Sequence, residues 1–550
     1  MKIQKLAING KDVRVENLVI IVGPNGVGKT TFLRDLHDTF VTSSPGTVTT
    51  TQSTKWTGVF ISDSFHSTLT EWKEWAASLK EVSGNAIGNN QKAHAITSYL
   101  GRENKQHYLY ADLLPNLKAS LENPAITPGA LEGTLGAPFR DQHSIFLGVD
   151  NRFFVSTNFT GQLNPDSTHD TKPAPFLANN QEILQKINRA MLSLFDRKLF
   201  VESPTYPTFN ILVAKEKVLA PKRLSMTPKN IINQRADYEN WIAKNSITTL
   251  PEEGHGVRAA MEILYALETE NNRIVFIDEP ELHLYPSSKY LIGRIIGKYA
   301  ASGKKQIILT THDSDLLRGL LHGSSKSTVL RINKDRTIKS VTGHSLKKTS
   351  GNEVLQSAFL DAVILTEGIG DQFVYRNVFQ QKHLLEKISY QVIAVNGKES
   401  IADDIPFFND LNIMYAVILD YDSIFSDKRG GLINYCLVKT GADEQQLEKA
   451  AQLVRDITQF SKDMGGKRKG LGNTTLTLEQ KSKIVELLNL LKKYGVFIVP
   501  CGELEDWVNG SKPIIPEKVY SVYKSSANKK YKGLSDFANK ISKYIIESLK

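Results

Sequence analysis

The sequence predicts an α/β protein of two domains, each built on a parallel sheet. Three observations carry that reading. The chain has 550 residues, more than one hydrophobic core usually organises. Short β-branched runs alternate with helical patterns in two blocks, separated by a polar stretch at 342–353. A glycine-rich turn follows the first of those runs and opens a helix. With 41% hydrophobic and 23% charged residues, 37 glycines and 20 prolines, the chain is neither collagen-like nor wholly disordered. No apolar run approaches the roughly 18 residues of a membrane span, and no secretory leader pattern follows Met1. Two cysteines, Cys436 and Cys501, are too few for a disulfide framework or a four-cysteine zinc site. Together these features predict a cytoplasmic protein with no membrane partner.

Taken in order, Leu18–Val22 reads as a buried strand and the chain from Lys29 as a helix. Residues 42–54 are rich in Ser and Thr and read as a loop. Helical patches at Trp72–Leu79 and Tyr110–Leu121, broken by Gly, Asn and Pro, predict an insertion near 41–141 outside the central sheet. Ser144–Val155 and Phe209–Val218 read as strands, Gln181–Leu194 and Gly256–Leu267 as helices. Arg273–Ile277, Gln306–Thr310 and Ser327–Ile332 have the composition of buried parallel strands, with a helix over 287–301 between the first two. Beyond the polar stretch a second alternation begins, with strands at Ala362–Thr366, Gln391–Val395, Tyr415–Leu419 and Val496–Pro500. The expected domains are 1–345 and 355–550.

The turn Gly23-Pro-Asn-Gly-Val-Gly-Lys-Thr30 fills every fixed position of G-x-x-x-x-G-K-[ST], between a strand and a helix. Its glycines let backbone N–H groups approach phosphates, and the helix N-terminus adds positive potential. Asn25, Gly26, Gly28, Lys29, Thr30 and Thr31 are the expected ATP contacts, with Lys29 on the β/γ-phosphates and the Thr30 hydroxyl on Mg²⁺. The run Ile274–Ile277 ends in Asp278-Glu279, where one carboxylate suits the magnesium and the next suits polarising a water. His312, after the strand Gln306–Thr310, is placed to sense a γ-phosphate, although a lone His there is also a common structural residue.

These residues resemble ABC-type ATPases of the SMC-like and DNA-repair branch, in which DEP followed by E-x-H-L-x-P (Asp278 to Pro286) follows the Walker B strand and T-T-H supplies a switch histidine. The resemblance implies a signature segment that completes a partner's nucleotide site. Pro251-Glu-Glu-Gly-His-Gly-Val-Arg258 lies where it belongs; Gly254 and Gly256 remain, and the usual serine is absent. Gln52 is the candidate for the glutamine loop. Two ATPs between two chains are implied, with dimerisation elements near 180–250.

The second block carries carboxylates at three strand ends: Glu367 with Asp371, Asp420 with Asp422, and Glu503-Leu-Glu505-Asp506. In an extended chain Asp420 and Asp422 would face one side, and the strand ends of an open parallel sheet converge on one crevice. Carboxylates so crowded suit Mg²⁺ or Mn²⁺, a pair of which cleaves phosphodiesters; acidic strand ends also occur as plain solvated caps.

Glu-Gly-x-x-Asp (Glu367 to Asp371) followed by a D-x-D strand end resembles the Toprim domain, with Val395-Asn-Gly-Lys-Glu399 as its second-strand turn. An ABC-type ATPase followed by Toprim is similar to the overcoming-lysogenisation-defect (OLD) family of ATPase-nucleases, related to Gabija, retron-associated and PARIS-type phage defence. The resemblance implies metal ligation by Glu367, Asp371, Asp420, Asp422, Glu503 and Glu505 and a catalytic lysine among Lys529, Lys530 and Lys532 (Lys530 is carried forward); Glu279, the carboxylate suited to polarising a water, is the expected hydrolytic base. Formal net charge is +10, and from Ser461 to Lys550 bases outnumber acids by about two to one. That imbalance suits a nucleic-acid backbone, and equally a solvated lysine-rich surface. The expected activity is ATP-gated, metal-dependent cleavage of DNA, or of tRNA or other RNA, in antiphage defence, by a homodimer or larger homo-oligomer, with a defence protein or retron RNA–DNA as companion. The competing expectation is an ATPase sensor or scaffold with an inactive Toprim half.

Overall fold

The computed structural model describes residues 2–8, 11–42, 59–61, 69–78, 80–82, 96–99, 105–110, 113–127, 131, 144–149, 173–205, 208–219, 231–269, 273–346, 351–381, 385–395, 397–426, 431–463, 476–508 and 532–549. The chain divides into two compact units. One comprises Met1–Val22, Gly28–Leu330 and Arg336–His344; the other comprises Gly23–Val27, Arg331–Asp335 and Ser345–Lys550.

The first unit is organised by a six-stranded sheet. In chain order its strands are β1 (Leu18–Val22), β2 (Ser144–Leu147), β3 (Ile274–Asp278), β4 (Gln306–Thr310), β5 (Thr328–Ile332) and β6 (Ile338–Thr342). They lie side by side in the order β6-β5-β1-β4-β3-β2. The β1, β4, β3 and β2 block is parallel, with Ile307 opposite Leu18 and Asp278 opposite Thr310. Every residue of β1, β3, β4 and β5 is buried, which is why these strands read as unbroken apolar runs.

The helices of this unit each bury one apolar stripe. In α1 (Lys29–Thr42) the stripe is Phe32, Leu33, Leu36 and Phe40. In α2 (Gln181–Phe195) it is Leu184, Ile187, Met191 and Leu194, and the helix stops at Asp196 in the left-handed conformation, φ 56°. Three more helices matter for the site: α3 (His255–Glu268), α4 (Pro286–Ala301) and α5 (Ser314–Gly323).

The insertion is not purely helical. Lys80–Val82, Ile96–Tyr99 and Lys105–Tyr110 form a small sheet of their own beside helices Leu69–Ser78 and Leu113–Glu122. Tyr110 therefore ends a strand rather than starting a helix. The strand expected over Ser144–Val155 is shorter: β2 ends at Leu147, and the chain beyond 149 lies outside the described residues. Thr208–Lys215 is antiparallel to Arg197–Thr205, a strand whose charged start and Ser-Pro step hide it from a periodicity search. Lys5–Ile8 and Lys11–Arg14 form a further hairpin, too short to stand out in sequence.

The second unit holds a four-stranded, fully parallel sheet: β7 (Ala362–Thr366), β8 (Tyr390–Ala394), β9 (Met414–Leu419) and β10 (Val496–Ile498), in the order β8-β7-β9-β10. The chain leaves β7 to one side and returns on the other, so the ends of β7 and β9 flank a topological switch point. Helix α6 (Ile369–Gln381) and helix α7 (Lys398–Leu411) follow β7 and β8. Helix α8 (Lys532–Ser548) closes the core through Leu534, Phe537, Ala538, Ile541 and Ile545, packed with Ile364, Val374 and Phe379. Among the described residues, no helix is long and apolar enough to cross a membrane.

Candidate functional site

The nucleotide centre begins where β1 emerges from the sheet. Gly23, Gly26 and Gly28 all have positive φ (147°, 78° and 93°), a path that side chains with a Cβ resist. A Cβ on Gly23 would stand 2.3 Å from the Ile332 carbonyl oxygen. The loop thus reaches α1 with Lys29 and Thr30 in its first turn. Asn25 and Gly26 are exposed at the loop crest, while Thr31, the third residue of the helix, is half-buried.

Lys29 is buried, and desolvation pulls its ammonium below the usual lysine range against the opposing charges of Glu279, Glu281 and Asp278. Asp278, 1% exposed at the end of β3, accepts from the Thr30 hydroxyl at 3.0 Å and the Thr310 hydroxyl at 2.5 Å, both on Oδ1. The Glu279 N–H is held by the Thr310 carbonyl and hydroxyl, at 3.2 and 3.1 Å. Glu279 takes φ 50°, an uncommon conformation for glutamate.

His312 follows β4, and its Nδ1 stands 3.2 Å from Glu279 Oε1 and 3.3 Å from Glu281 Oε1. The hydrogen bond to Glu279 and the two carboxylate charges raise the imidazole pKa against its partial burial. Next in sequence, Asp313 caps α5 by accepting the Leu316 N–H at 3.0 Å, and its other oxygen pairs with Lys289 at 2.8 Å. The histidine is therefore anchored on both sides.

Lys29, Thr30, Asp278, Glu279 and His312 come together as read from sequence. Gly254 caps α3, and Gly256 sits in its first turn against the segment after β3: a Cβ there would lie 2.5 Å from the His283 carbonyl oxygen. Two polar residues went unassigned in the sequence, Thr310 and Glu281. Both lay inside quoted motifs, and only the pairing of β3 with β4 shows what they touch.

The second centre lies at the C-terminal ends of β7 and β9. Glu367 Oε1 accepts the Asp420 N–H and the Ser423 hydroxyl, each at 2.9 Å, so the ends of the two strands are tied by one carboxylate. Asp371, in the first turn of α6, accepts the Gly368 N–H at 3.1 Å. The Tyr421 N–H binds the Gly502 carbonyl at 2.8 Å, which brings the loop after β10 alongside; in that loop Asp506 Oδ2 accepts the Glu503 N–H at 2.9 Å. The Asp420 carboxyl is pushed up to about 9, first by burial and then by the charges of Glu367, Asp371, Asp422 and Glu503.

Asp420 and Asp422 do not share a face of an extended strand, because β9 ends at Leu419 and Tyr421–Phe425 coils into a 3₁₀ turn capped by Asp420. Both still act on the same pocket of charge. The donor set is all carboxylate oxygen, the chemistry that suits Mg²⁺ or Mn²⁺, and the charge crowding on Asp420 is what a divalent cation would relieve. Among the described residues no three His, Cys, Asp or Glu side chains form a ready-made ion site. Gln52, Lys529, Lys530 and the side chains of Glu505 and Lys532 lie outside the described residues.

Residues 161–317 match the AAA ATPase domain family, and residues 359–422 match the Toprim domain of overcoming lysogenization defect protein-like proteins. The first match contains Asp278, Glu279 and His312; the second contains Glu367, Asp371, Asp420 and Asp422. The Old nuclease of Escherichia phage P2 is 23% identical over 282 residues, 46% of this chain and 48% of the relative. Endonuclease GajA of Bacillus cereus (strain HuB5-5) is 22% identical over 435 residues, 68% of this chain and 61% of the relative. The chain thus spans about half to three-fifths of the length of these relatives. Among solved structures, the C-terminal region of the Burkholderia pseudomallei OLD protein aligns with 35% of this chain and all of that one, at 15% identity and a TM-score of 0.19.

Proposed function

We propose that this chain, which joins an ATPase domain to an OLD-like Toprim domain, is an ATP-regulated, divalent-metal-dependent endonuclease acting in antiphage defence. The observation that carries the reading is the convergence of Glu367, Asp371, Asp420, Asp422 and Glu503 at the strand ends of the second unit. The names of the relatives, a nuclease and an endonuclease, support the same reading.

At the first centre Lys29 and the loop N–H groups bind the ATP phosphates, Thr30 and Asp278 face the magnesium, His312 contacts the γ-phosphate, and Glu279 accepts a proton from the attacking water. At the second, Glu367, Asp371, Asp420, Asp422, Glu503 and Glu505 would hold Mg²⁺, with Mn²⁺ an alternative. A cation held there would supply an activated water and would neutralise charge on the scissile phosphate. Glu367 orients the β9 end through the Asp420 N–H and Ser423, which fixes where Asp420 stands. Lys530 neutralises phosphate charge. The lysine-rich C-terminal region grips a backbone, DNA first and tRNA or other RNA next, without reading bases. We place the protein in the cytoplasm as a homodimer or larger homo-oligomer through the ATPase domain, with a companion protein or a retron RNA–DNA in the same defence system.

A second reading, an ATPase sensor or scaffold, draws on one observation: Glu367 Oε1 accepts two protein donors, the Asp420 N–H and the Ser423 hydroxyl, a structural role for that carboxylate. The two are separated by incubating supercoiled plasmid and labelled tRNA with wild type, Glu367→Ala and Lys29→Ala, with Mg²⁺ or Mn²⁺, with and without ATP. Cutting lost in Glu367→Ala supports the nuclease, and an ATP response lost in Lys29→Ala supports the gating. Equal cutting by wild type and Glu367→Ala refutes the assigned centre.

A further inference from the structure

The turn after β3 buries a carboxylate for which the hydrolytic scheme above has no use. Glu279 and His283 both take left-handed φ (50° and 65°), and the Leu282 and Leu284 N–H groups close back on the Glu279 and Glu281 carbonyls at 3.2 and 3.1 Å. That tight path drives the Glu281 side chain inward to 1% exposure. A carboxylate so buried needs donors, and Oε1 receives two from the residues after β4, the Thr311 hydroxyl at 2.7 Å and the His312 N–H at 2.9 Å. The same oxygen is the one 3.3 Å from His312 Nδ1. Oε2 is buried with no hydrogen-bond partner among the described residues. His312 itself is 38% exposed.

One imidazole nitrogen therefore stands between two carboxylates, Glu279 at 3.2 Å and Glu281 at 3.3 Å. A single N–H cannot serve both fully. We propose that Glu281 is a positioning residue: it holds His312 with Nδ1 protonated and Nε2 turned outward, and as the alternative acceptor it lets His312 release Glu279 for the proton-transfer step. In that step a water O–H proton passes to Glu279, the water oxygen bonds to the γ-phosphorus, and the bond to the departing ADP oxygen breaks. The Nδ1 proton only changes acceptor. A carboxylate setting the tautomer of a working imidazole is a general device; here the buried turn supplies it. The charged groups facing His312 are Glu279 and Glu281 from this turn and Lys29 from α1. The inference rests on the nucleotide reading of the first centre.

The test is a set of variants, Glu281→Gln and Glu281→Asp, each made in the wild-type and His312→Ala backgrounds, with ATP turnover, ATP affinity and thermal melting measured on the full chain. Burial raises the Glu281 pKa against the pull of the His312 N–H and the Thr311 hydroxyl; glutamine keeps an acceptor for Thr311 and removes the acid, and aspartate keeps the acid and withdraws it by one methylene. Glu281→Gln should lower kcat by roughly tenfold to a hundredfold, the range for losing an orienting partner, with ATP affinity within about twofold. In the His312→Ala background the same substitution should add nothing. An unchanged kcat in both folded Glu281 variants, or an equal loss with and without His312, overturns the proposal. Histidine-labelled nitrogen spectra provide a readout that needs no turnover. The His312 Nδ1 signal should mark a protonated nitrogen in wild type, and its titration midpoint should fall in Glu281→Gln. An identical spectrum and midpoint would overturn the proposal even if wild type shows no Lys29-dependent turnover, a result that by itself refutes the nucleotide reading instead.

Discussion

Replacing Asp420 by asparagine should make the metal-free protein more stable while abolishing cleavage. The carboxyl is pushed up to about 9 from an ordinary value of 3.8, so at pH 7 the folded protein holds it protonated while the unfolded chain leaves it ionised. Forcing that proton on costs about three pH units at about 1.4 kcal/mol each, or about 4 kcal/mol. Water entry and side-chain relaxation at a carboxyl that is not fully buried reduce this to about 2 kcal/mol. Asparagine has nearly the same shape and needs no proton. For a unit of about 200 residues the gain corresponds to a rise in Tm of about 4–8 °C. The direction with pH follows from proton counting. The folded state binds the extra proton, so the wild-type contribution is lost as pH climbs from about 4 towards about 9, and the gap to Asp420→Asn should widen over that range. Added Mg²⁺ should narrow it, because binding to the folded wild type stabilises it by mass action. The assay is melting in EDTA and in Mg²⁺ at pH 5, 7 and 8.5. An Asp420→Asn variant no more stable than wild type in EDTA at pH 8.5 would refute the crowded-carboxylate account of this centre.

Thr310→Val removes the shorter of the two hydroxyl bonds to Asp278 and one of the two holds on the Glu279 N–H. ATP turnover should fall about tenfold, the worth of about 1.4 kcal/mol, while Thr310→Ser, measured beside it, retains most of the rate. Gly256→Ala would place a methyl 2.5 Å from the His283 carbonyl oxygen. The backbone must shift, so denaturant melts of the ATPase unit should show a loss of about 1–3 kcal/mol; full stability would mean that α3 and the turn after β3 are not packed as described.

Legibility in the sequence followed the range of the interaction. β1, β4 and β7 begin and end where their apolar runs do, because a buried parallel strand shows itself in five consecutive residues. The hairpin strand Arg197–Thr205 was not seen, because its pairing with Thr208–Lys215 rather than its own composition makes it a strand. The glycine loop was legible as a site, since its conformational demand and its chemistry lie within eight residues. The extended D-x-D reading failed at Tyr421–Phe425, where the 3₁₀ turn depends on contacts such as the Tyr421 N–H to the Gly502 carbonyl, 81 residues away.

What the sequence determined by itself was therefore local: the two strand–helix alternations, the phosphate loop, and the carboxylates at three strand ends. The tertiary structure alone decided which of those groups share an atom or a field. It set Glu281 Oε1 against Thr311 and His312, and it buried Asp420 among four other carboxylates, which together push its carboxyl up to about 9. Both outcomes depend on burial and on distances between residues about 30 to 80 positions apart, and neither quantity is written in any single stretch of chain.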